Sequence, residues 1–310
     1  MKIAIQKAIY KSFFLYNIKK QSYNSLGDLM KKIFQFIGII TLTIGSFIYT
    51  EKVAMTAKQT DSLLNEIKSK KDGYKENAIE PIIKENTIIP GVNGKEINTQ
   101  KSYENMTKVG YFNDKLLEYK ILKVENKLDK NKDKYIINGN NTKNEIALIF
   151  KIKSDDDITN ISTILKKNNV KATFFVNSNY LEKNHNQIIE LANQGHTIGN
   201  LSNNDDYNYS DFAWINTIIT NIGKQKYNYC FTLKPNKKIL NICKLYNSYT
   251  IMPQTIIKKN PFVNLKKQMI SQNMIAFALT PSLNEQMSLI INYVLSKGYN
   301  LVSLETLLKE

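Results

Sequence analysis

The 310-residue chain has 43 basic residues, all of them lysine, and no arginine; it has only two histidines, two cysteines and one tryptophan. Without arginine, no site can be built on a rigid bidentate guanidinium, whether to clamp a carboxylate or phosphate or to read guanine. Lysine offers only a point charge on a flexible stem. Two histidines restrict imidazole metal sites and proton relays in the same way.

What is present fits folded protein of one or two domains: 42% of residues are hydrophobic and 23% charged. The abundance of Lys, Asn, Ile and Tyr fits an AT-rich codon bias, so the net charge of +16 is not by itself a functional signal. Its distribution agrees. Residues 1–32 carry seven Lys and one Asp, residues 51–144 carry 18 Lys and 14 acids, and residues 145–310 carry 18 Lys and 12 acids. No folded-looking segment has a basic stripe interleaved with aromatics, which argues against a nucleic-acid partner.

Residues 33–50, from Ile33 to Thr50, form an uncharged run of 18 residues between Lys31-Lys32 and Glu51-Lys52. At about 1.5 Å per residue such a helix just spans a hydrocarbon core. Four lysines lie shortly before it (19, 20, 31 and 32) and two shortly after (52 and 58). The expectation is an uncleaved single-pass anchor with a cytoplasmic basic tail, residues 1–32, and the bulk of the chain outside the cell membrane. A cleaved signal ending near Ala54-Met55-Thr56-Ala57 and a buried core helix are the alternatives. The first 20 residues read as a basic amphipathic helix on the inner membrane surface.

Residues 51–144 read as a stalk and small α+β region. A stalk helix is expected over 53–71, then a short helical stretch to Lys84, a strand, tight turn and strand around Pro90-Gly91-Val92-Asn93-Gly94, and a short helix near 102–107. Strands near 116–122 and 135–137 complete it. From residue 145 the pattern becomes regular, with strands at 146–151, 172–176, 197–199, 229–232, 249–252, 274–279 and 301–303. Helical patterns at 158–167, 181–194, 211–225, 236–246, 263–272 and 283–297 separate them. Such alternation predicts parallel strands with helical crossovers, in an open sheet or a closed barrel.

Three stretches of this repeat carry a resemblance. They are Ile146-Ala147-Leu148-Ile149-Phe150 with the later Val170-Lys171-Ala172-Thr173-Phe174-Phe175-Val176; Gly195-His196-Thr197-Ile198-Gly199-Asn200; and the closing stretch 290–308, with Gly298-Tyr299-Asn300-Leu301-Val302-Ser303-Leu304. In this order they resemble the polysaccharide deacetylase (NodB-homology) family over residues 145–310. The resemblance implies an α/β fold, a distorted (β/α) barrel with its cleft at the C-terminal strand ends. It also implies metal-assisted hydrolysis of an N-acetyl group on an amino sugar, with a carboxylate base and a protonating acid.

The family's ligand positions are degenerate here. Its "TFDDG" falls on Ile149-Phe150-Lys151-Ile152-Lys153, its "HxxxH" on Leu201-Ser202-Asn203-Asn204-Asp205, its arginine motif near Phe231-Thr232-Leu233-Lys234-Pro235, and its late His-Asp strand on Ala276-Phe277-Ala278-Leu279-Thr280. Base, acid and metal ligands are therefore absent, and neither a metal nor another cofactor is expected. Lys151, Asp205 and Lys234 are left as a candidate ligand cleft, Lys151 either pairing with an anion or reaching solvent from a strand end. Asp155-Asp156-Asp157 reads more simply as a helix cap than as relocated ligands. His196 reads as a hydrogen-bonded scaffold residue, and Cys230 and Cys243 as two buried thiols in preference to a bridge.

The expected function is that of a membrane-anchored, catalytically inactive deacetylase-like protein. It would bind cell-envelope glycan or an envelope protein. The alternatives are an active divalent-metal-dependent N-deacetylase with relocated ligands, and a structural envelope interaction protein using residues 53–144.

Overall fold

The computed structural model describes residues 30–51, 61–202, 208–223 and 225–310. The chain divides into two compact units, one comprising residues up to Gly73 with Ile97–Glu118, the other Tyr74–Glu96 with Tyr119–Glu310.

In the first unit, helix α1 (Met30–Glu51) has 22 residues and is long and apolar enough to cross a membrane. Its polar side chains are satisfied along the helix: Thr41, Thr43 and Thr50 donate to the carbonyls of Ile37, Ile39 and Ser46, four residues back. Helix α2 (Ser62–Lys70) begins at Asp61, whose carboxylate accepts from Leu64 N–H at 3.0 Å and from the Tyr103 hydroxyl at 2.5 Å. Tyr103 lies on α3 (Thr99–Met106), and its hydroxyl bond holds the Asp61 carboxyl below the usual range. The stalk helix expected over 53–71 is thus helical over 62–70; residues 52–60 lie outside the described residues, as does the amphipathic stretch at the N-terminus.

The second unit opens with β1 (Ile82–Lys84) and β2 (Thr87–Ile89), an antiparallel pair turning through Glu85, whose φ is 47°. Strand β3 (Gly94–Ile97) pairs instead with β4 (Tyr119–Leu122). This corrects two expectations, the helical stretch to Lys84 and the tight turn over residues 90–94. The glycines there serve close backbone approach. A Cβ on Gly94 would lie 2.2 Å from the Glu76 carbonyl oxygen, and one on Gly91 2.5 Å from that of Ile79, because Glu76 and Ile79 bridge to Lys95 and Val92.

The remaining strands are β5 (Tyr135–Ile136), β6 (Glu145–Lys151), β7 (Thr173–Val176), β8 (Thr197–Leu201), β9 (Tyr229–Phe231), β10 (Tyr249–Ile251), β11 (Ile256–Ile257), β12 (Met274–Ala278) and β13 (Asn300–Val302). Helices α4 (Thr159–Lys167), α5 (Ser178–Lys183), α6 (His185–Asn193), α7 (Tyr209–Ile222), α8 (Lys237–Leu245), α9 (Pro261–Gln268), α10 (Pro281–Ser296) and α11 (Leu304–Leu307) alternate with them. The helix expected over 181–194 is two, divided at Asn184, and β11 was not expected.

Eleven strands form one sheet in the order β1-β2-β5-β10-β9-β8-β7-β6-β12-β11, with β13 on the first half of β6; only β1 and β2 are antiparallel. The ladder has free ends at β1 and β11, so the predicted distorted barrel is an open one, a half-barrel. Residues 51–144 were expected to form a stalk and small region apart from the domain that begins at residue 145, yet β1, β2 and β5 belong to this sheet. The cause is backbone pairing: β5 is hydrogen-bonded in parallel to β10 on one side and β2 on the other.

Because parallel strands are covered on both faces, the strands are apolar throughout. On β6, Ile146, Leu148 and Phe150 point to the helix-side core with Ile161, Leu165, Ile290 and Val294, while Ala147 and Ile149 point to the concave side with Phe175, Leu201, Phe231 and Ile251. Asparagine starts many of the helices: Asn98, Asn177, Asn208 and Asn236 accept backbone N–H bonds at the N-termini of α3, α5, α7 and α8. Cys230 on β9 and Cys243 on α8 are bonded to each other, with Cα atoms 6.3 Å apart. The expectation of two thiols is corrected: helix α8 packs against β9 and brings the two side chains within bonding distance.

Gly199 explains itself in this sheet. It lies opposite Phe175 in register, and a Cβ there would meet the Phe175 ring at 2.3 Å. Gly199→Ala is expected to destabilise the domain by about 1–3 kcal/mol through overpacking, read as a lower urea midpoint with an unchanged slope.

Candidate functional site

In an open parallel sheet the binding crevice lies beyond the carboxyl ends of the strands. Five neighbouring strands, β9, β8, β7, β6 and β12, end there, and the sequence-predicted positions follow that rim. Lys151 closes β6, in register with Phe175 on β7 and Ala278 on β12. Leu201 closes β8, in register with Phe231 on β9. Through Phe175, Lys151 is level with Gly199 on β8, two residues before Leu201; with about 4.8 Å between strands and about 3.3 Å per residue, Lys151 and Leu201 are about 12 Å apart, one strand between them. Leu279 directly follows β12, and Lys234 stands three residues beyond β9. The described positions therefore gather at one edge of the sheet. Asp205 lies among residues 203–207, outside the described residues.

What these side chains do follows from strand alternation. Lys151 is half-buried on the concave face, in line with Ala147 and Ile149. Ile152 is fully buried in the helix-side core, and its N–H still donates to the Phe175 carbonyl at 3.0 Å. Leu201 is buried in the concave core, and Leu279 packs on the helix-side core. Lys234 is exposed in a loop held by Thr232, whose hydroxyl donates to the Lys234 carbonyl at 2.7 Å.

The family's divalent metal needs carboxylate and imidazole donors converging on one point. The corresponding described positions offer one ammonium and aliphatic carbon that is already packed into the two cores. Among the described residues no group of three His, Cys, Asp or Glu is placed to hold a metal ion. The described residues do not fit the metal, and no chemical step is derived through one.

The acidic run after β6 has local duties. Asp156 accepts from Lys153 N–H at 2.7 Å, Asp157 from Thr159 N–H at 2.9 Å, and Asp155 pairs with Lys183 at 3.4 Å on the surface. The N-cap of α4 is Ile158, so the expectation of Asp157 at the cap is corrected by one position; Asp157 bonds the first helical N–H from just before it. His196 sits at the opposite end of the strands. It is buried, its Nδ1 accepts from Ala172 N–H at 3.1 Å, and its ring meets Phe174 edge-on at 5.3 Å.

Sequence reading passed over the small polar residues just beyond the strands. Asn177, Ser202 and Thr232 follow the apolar runs of β7, β8 and β9 and are all buried. Asn177 donates to the Ser154 hydroxyl at 3.2 Å and accepts from Tyr180 N–H at 2.9 Å. The recurring signal was a small polar residue after the last apolar residue of a strand.

Residues 138–237 match the family model described as polysaccharide deacetylase. The uncharacterized protein YlxY of Bacillus subtilis is 33% identical over 130 residues, 42% of this chain and 40% of that protein. A peptidoglycan-N-acetylglucosamine deacetylase of Bacillus cereus is 39% identical over 83 residues, 26% of this chain and 29% of that one. The chain thus spans less than half the length of these curated relatives. Among solved structures, a CE4 family pseudoenzyme from Bacillus anthracis aligns with a TM-score of 0.63 at 22% identity, over 81% of this chain and 96% of that chain. A mutant of a CE4 family pseudoenzyme, described as having restored enzymatic activity, aligns with the same score and identity over 81% of this chain and 99% of that one. These structural likenesses establish the fold.

His196 offers a test of the scaffold. Burial, with a smaller effect of Lys171, pushes its pKa down to about 4. The unfolded chain, at about 6.5, binds the proton first. The stabilisation is therefore complete above about pH 6.5 and is lost as pH falls toward 4, by on the order of 3 kcal/mol. Urea unfolding across that window should show the loss, and His196→Gln should flatten the profile.

Proposed function

We propose that this protein is a membrane-anchored member of the polysaccharide deacetylase family that binds cell-envelope carbohydrate without hydrolysing it: residues 138–237 match the family model, and the positions where the resemblance places its ligands hold Lys151, Ile152 and Leu201, with Leu279 beyond the matched stretch. The observation that carries the reading is the fate of those positions. Ile152 and Leu201 are buried in opposite cores, so the scaffold has converted a ligand shell into packing. Lys151 and Lys234 stand at the strand-end rim, where their ammonium groups suit the hydroxyl and carboxylate groups of a glycan; Asp205, the third expected residue, lies outside the described residues. An envelope protein is the other partner class this rim suits.

Helix α1 is the anchor in this reading, with residues 33–50 in the bilayer and the N-terminus in the cytoplasm. Support comes from the lysine excess before the apolar run and from the Cys230–Cys243 disulfide, since such bonds persist in oxidising compartments. The bridge closes a loop of 13 residues and stabilises the fold by about 3 kcal/mol on the chain-entropy model.

Full-length protein in detergent, given chitotetraose or peptidoglycan fragments with Zn²⁺, Co²⁺ or Mn²⁺, should release no acetate and should be retained on the same glycans. Metal-dependent turnover that disappears in Asp205→Ala would overturn the inactive reading in favour of relocated ligands; absence of any glycan retention would leave the protein-binding class. Maleimide should label Cys230 and Cys243 in protein taken from cells only after reduction and unfolding. Labelling of unfolded but unreduced protein would contradict the extracytoplasmic placement.

A further inference from the structure

The end of the half-barrel opposite the strand-end rim has a cavity of about 620 Å³, within the range of small-molecule sites. It opens where β9 and β10 begin, between the segment that links β4 to β5 and the C-terminal stretch from Ser303. Tyr229 and Tyr249 line it but are buried, so they offer a ligand little surface, and Tyr227 is only part-exposed. What the cavity presents is charge.

Its lining holds four lysines, Lys123, Lys127, Lys226 and Lys309, against three carboxylates, Asp129, Glu305 and Glu310. The carboxylates differ in how far the protein already satisfies them. Asp129 accepts from the Tyr249 hydroxyl and pairs with Lys132 at 3.4 Å. Glu310 accepts from Leu128 N–H at 2.8 Å, and Lys127 favours its charged form from longer range. Glu305 is the least engaged: its Oε2 accepts from Lys226 N–H at 3.2 Å, while its Oε1 accepts no hydrogen bond among the described residues. Among the described residues none of the four lysines closes an ion pair; the Lys226 ammonium lies over the Tyr227 ring, 4.9 Å from its centroid.

This pattern selects a ligand class. A fully apolar ligand would strip the charged groups of water without replacing its hydrogen bonds. A polyanion meets the three carboxylates and a polycation the four lysines. A neutral polyol brings no counter-charge to the unpaired ammonium groups. A molecule carrying one carboxylate and one ammonium group supplies charge-assisted bonds to both kinds of wall. Lys123 and Lys127 come from the segment after β4 and Glu305 from α11, so the two charges of such a ligand are met at separate points, as the ends of a short peptide require.

We propose that this cavity binds a short zwitterionic peptide, with its carboxylate end at Lys123 and Lys127 and its ammonium end at Glu305. Asn93 adds a group for the peptide backbone: its side-chain oxygen is taken by Val124 N–H at 2.9 Å, which leaves its NH₂ to donate to a peptide carbonyl. Neither the site nor the ligand is that of the strand-end rim, so the peptide site stands or falls independently of glycan binding.

The test is calorimetric titration of full-length protein in detergent with trialanine that is free at both ends, N-acetylated or C-amidated. The free form should bind, and each capped form should bind about fivefold more weakly, the worth of one good, partly exposed ion pair. Glu305→Gln keeps an acceptor for Lys226 N–H; it should abolish the difference between free and acetylated peptide and preserve that between free and amidated peptide. Lys123→Gln combined with Lys127→Gln should do the reverse, with circular dichroism unchanged in both variants. Excess chitotetraose should not displace the peptide. Absence of binding by free trialanine, equal affinity for all its forms, or discrimination that survives both variants overturns the proposal. Displacement by chitotetraose overturns it too, by putting the peptide at the glycan's own site.

Discussion

Strand β6 is hydrogen-bonded to three others, β12 along one edge and β13 followed by β7 along the other. That arrangement buries both of its faces and obliges the chain to supply apolar side chains at alternate positions to two different cores. Phe150 meets Phe174 and Phe277 on the helix side at 5.1 and 6.0 Å, while Ile149 packs with Phe175 and Leu201 on the concave side. Once β6 is placed, the strands beside it have their register, and their carboxyl ends come to one rim.

The same constraint explains how aliphatic residues can stand at strand-end positions where the resemblance to polysaccharide deacetylases implies ligands. A residue at a strand end is half inside a core. Replacing a carboxylate or an imidazole there with an aliphatic side chain removes a buried polar group that needed a partner and adds apolar packing. Ile152 and Leu201 are of this kind. Lys151 differs because its long apolar stem can lie along the concave face while its charge reaches outward.

Composition shapes the rest in a less specific way. A chain poor in arginine and rich in asparagine places asparagine at helix starts, where its side chain meets orphan N–H groups, and in the buried cluster where Asn138 and Asn273 join the approach to β6 to the start of β12. Lysine in turn does the surface work, and its ammonium groups lie over tyrosine and phenylalanine rings at Lys70, Lys132 and Lys226.

Much of the fold was legible in the order of residues. Strands of β6 type announce themselves as apolar runs bounded by polar residues, and the motif-like stretches around Phe174, Gly199 and Gly298 carried the resemblance whose fold the structure shares. Local pattern could not say which strand pairs with which: β2 and β3 are close in the chain yet lie in different sheets, and β5 joins β10 from more than a hundred residues away. Nor could it decide that Cys230 and Cys243 would meet. Those outcomes depend on distances across the sheet, which are set by packing and backbone pairing. The sequence by itself determined the alternation of strands and helices; tertiary structure alone decided the partners, because hydrogen bonds between strands join residues that no local pattern relates.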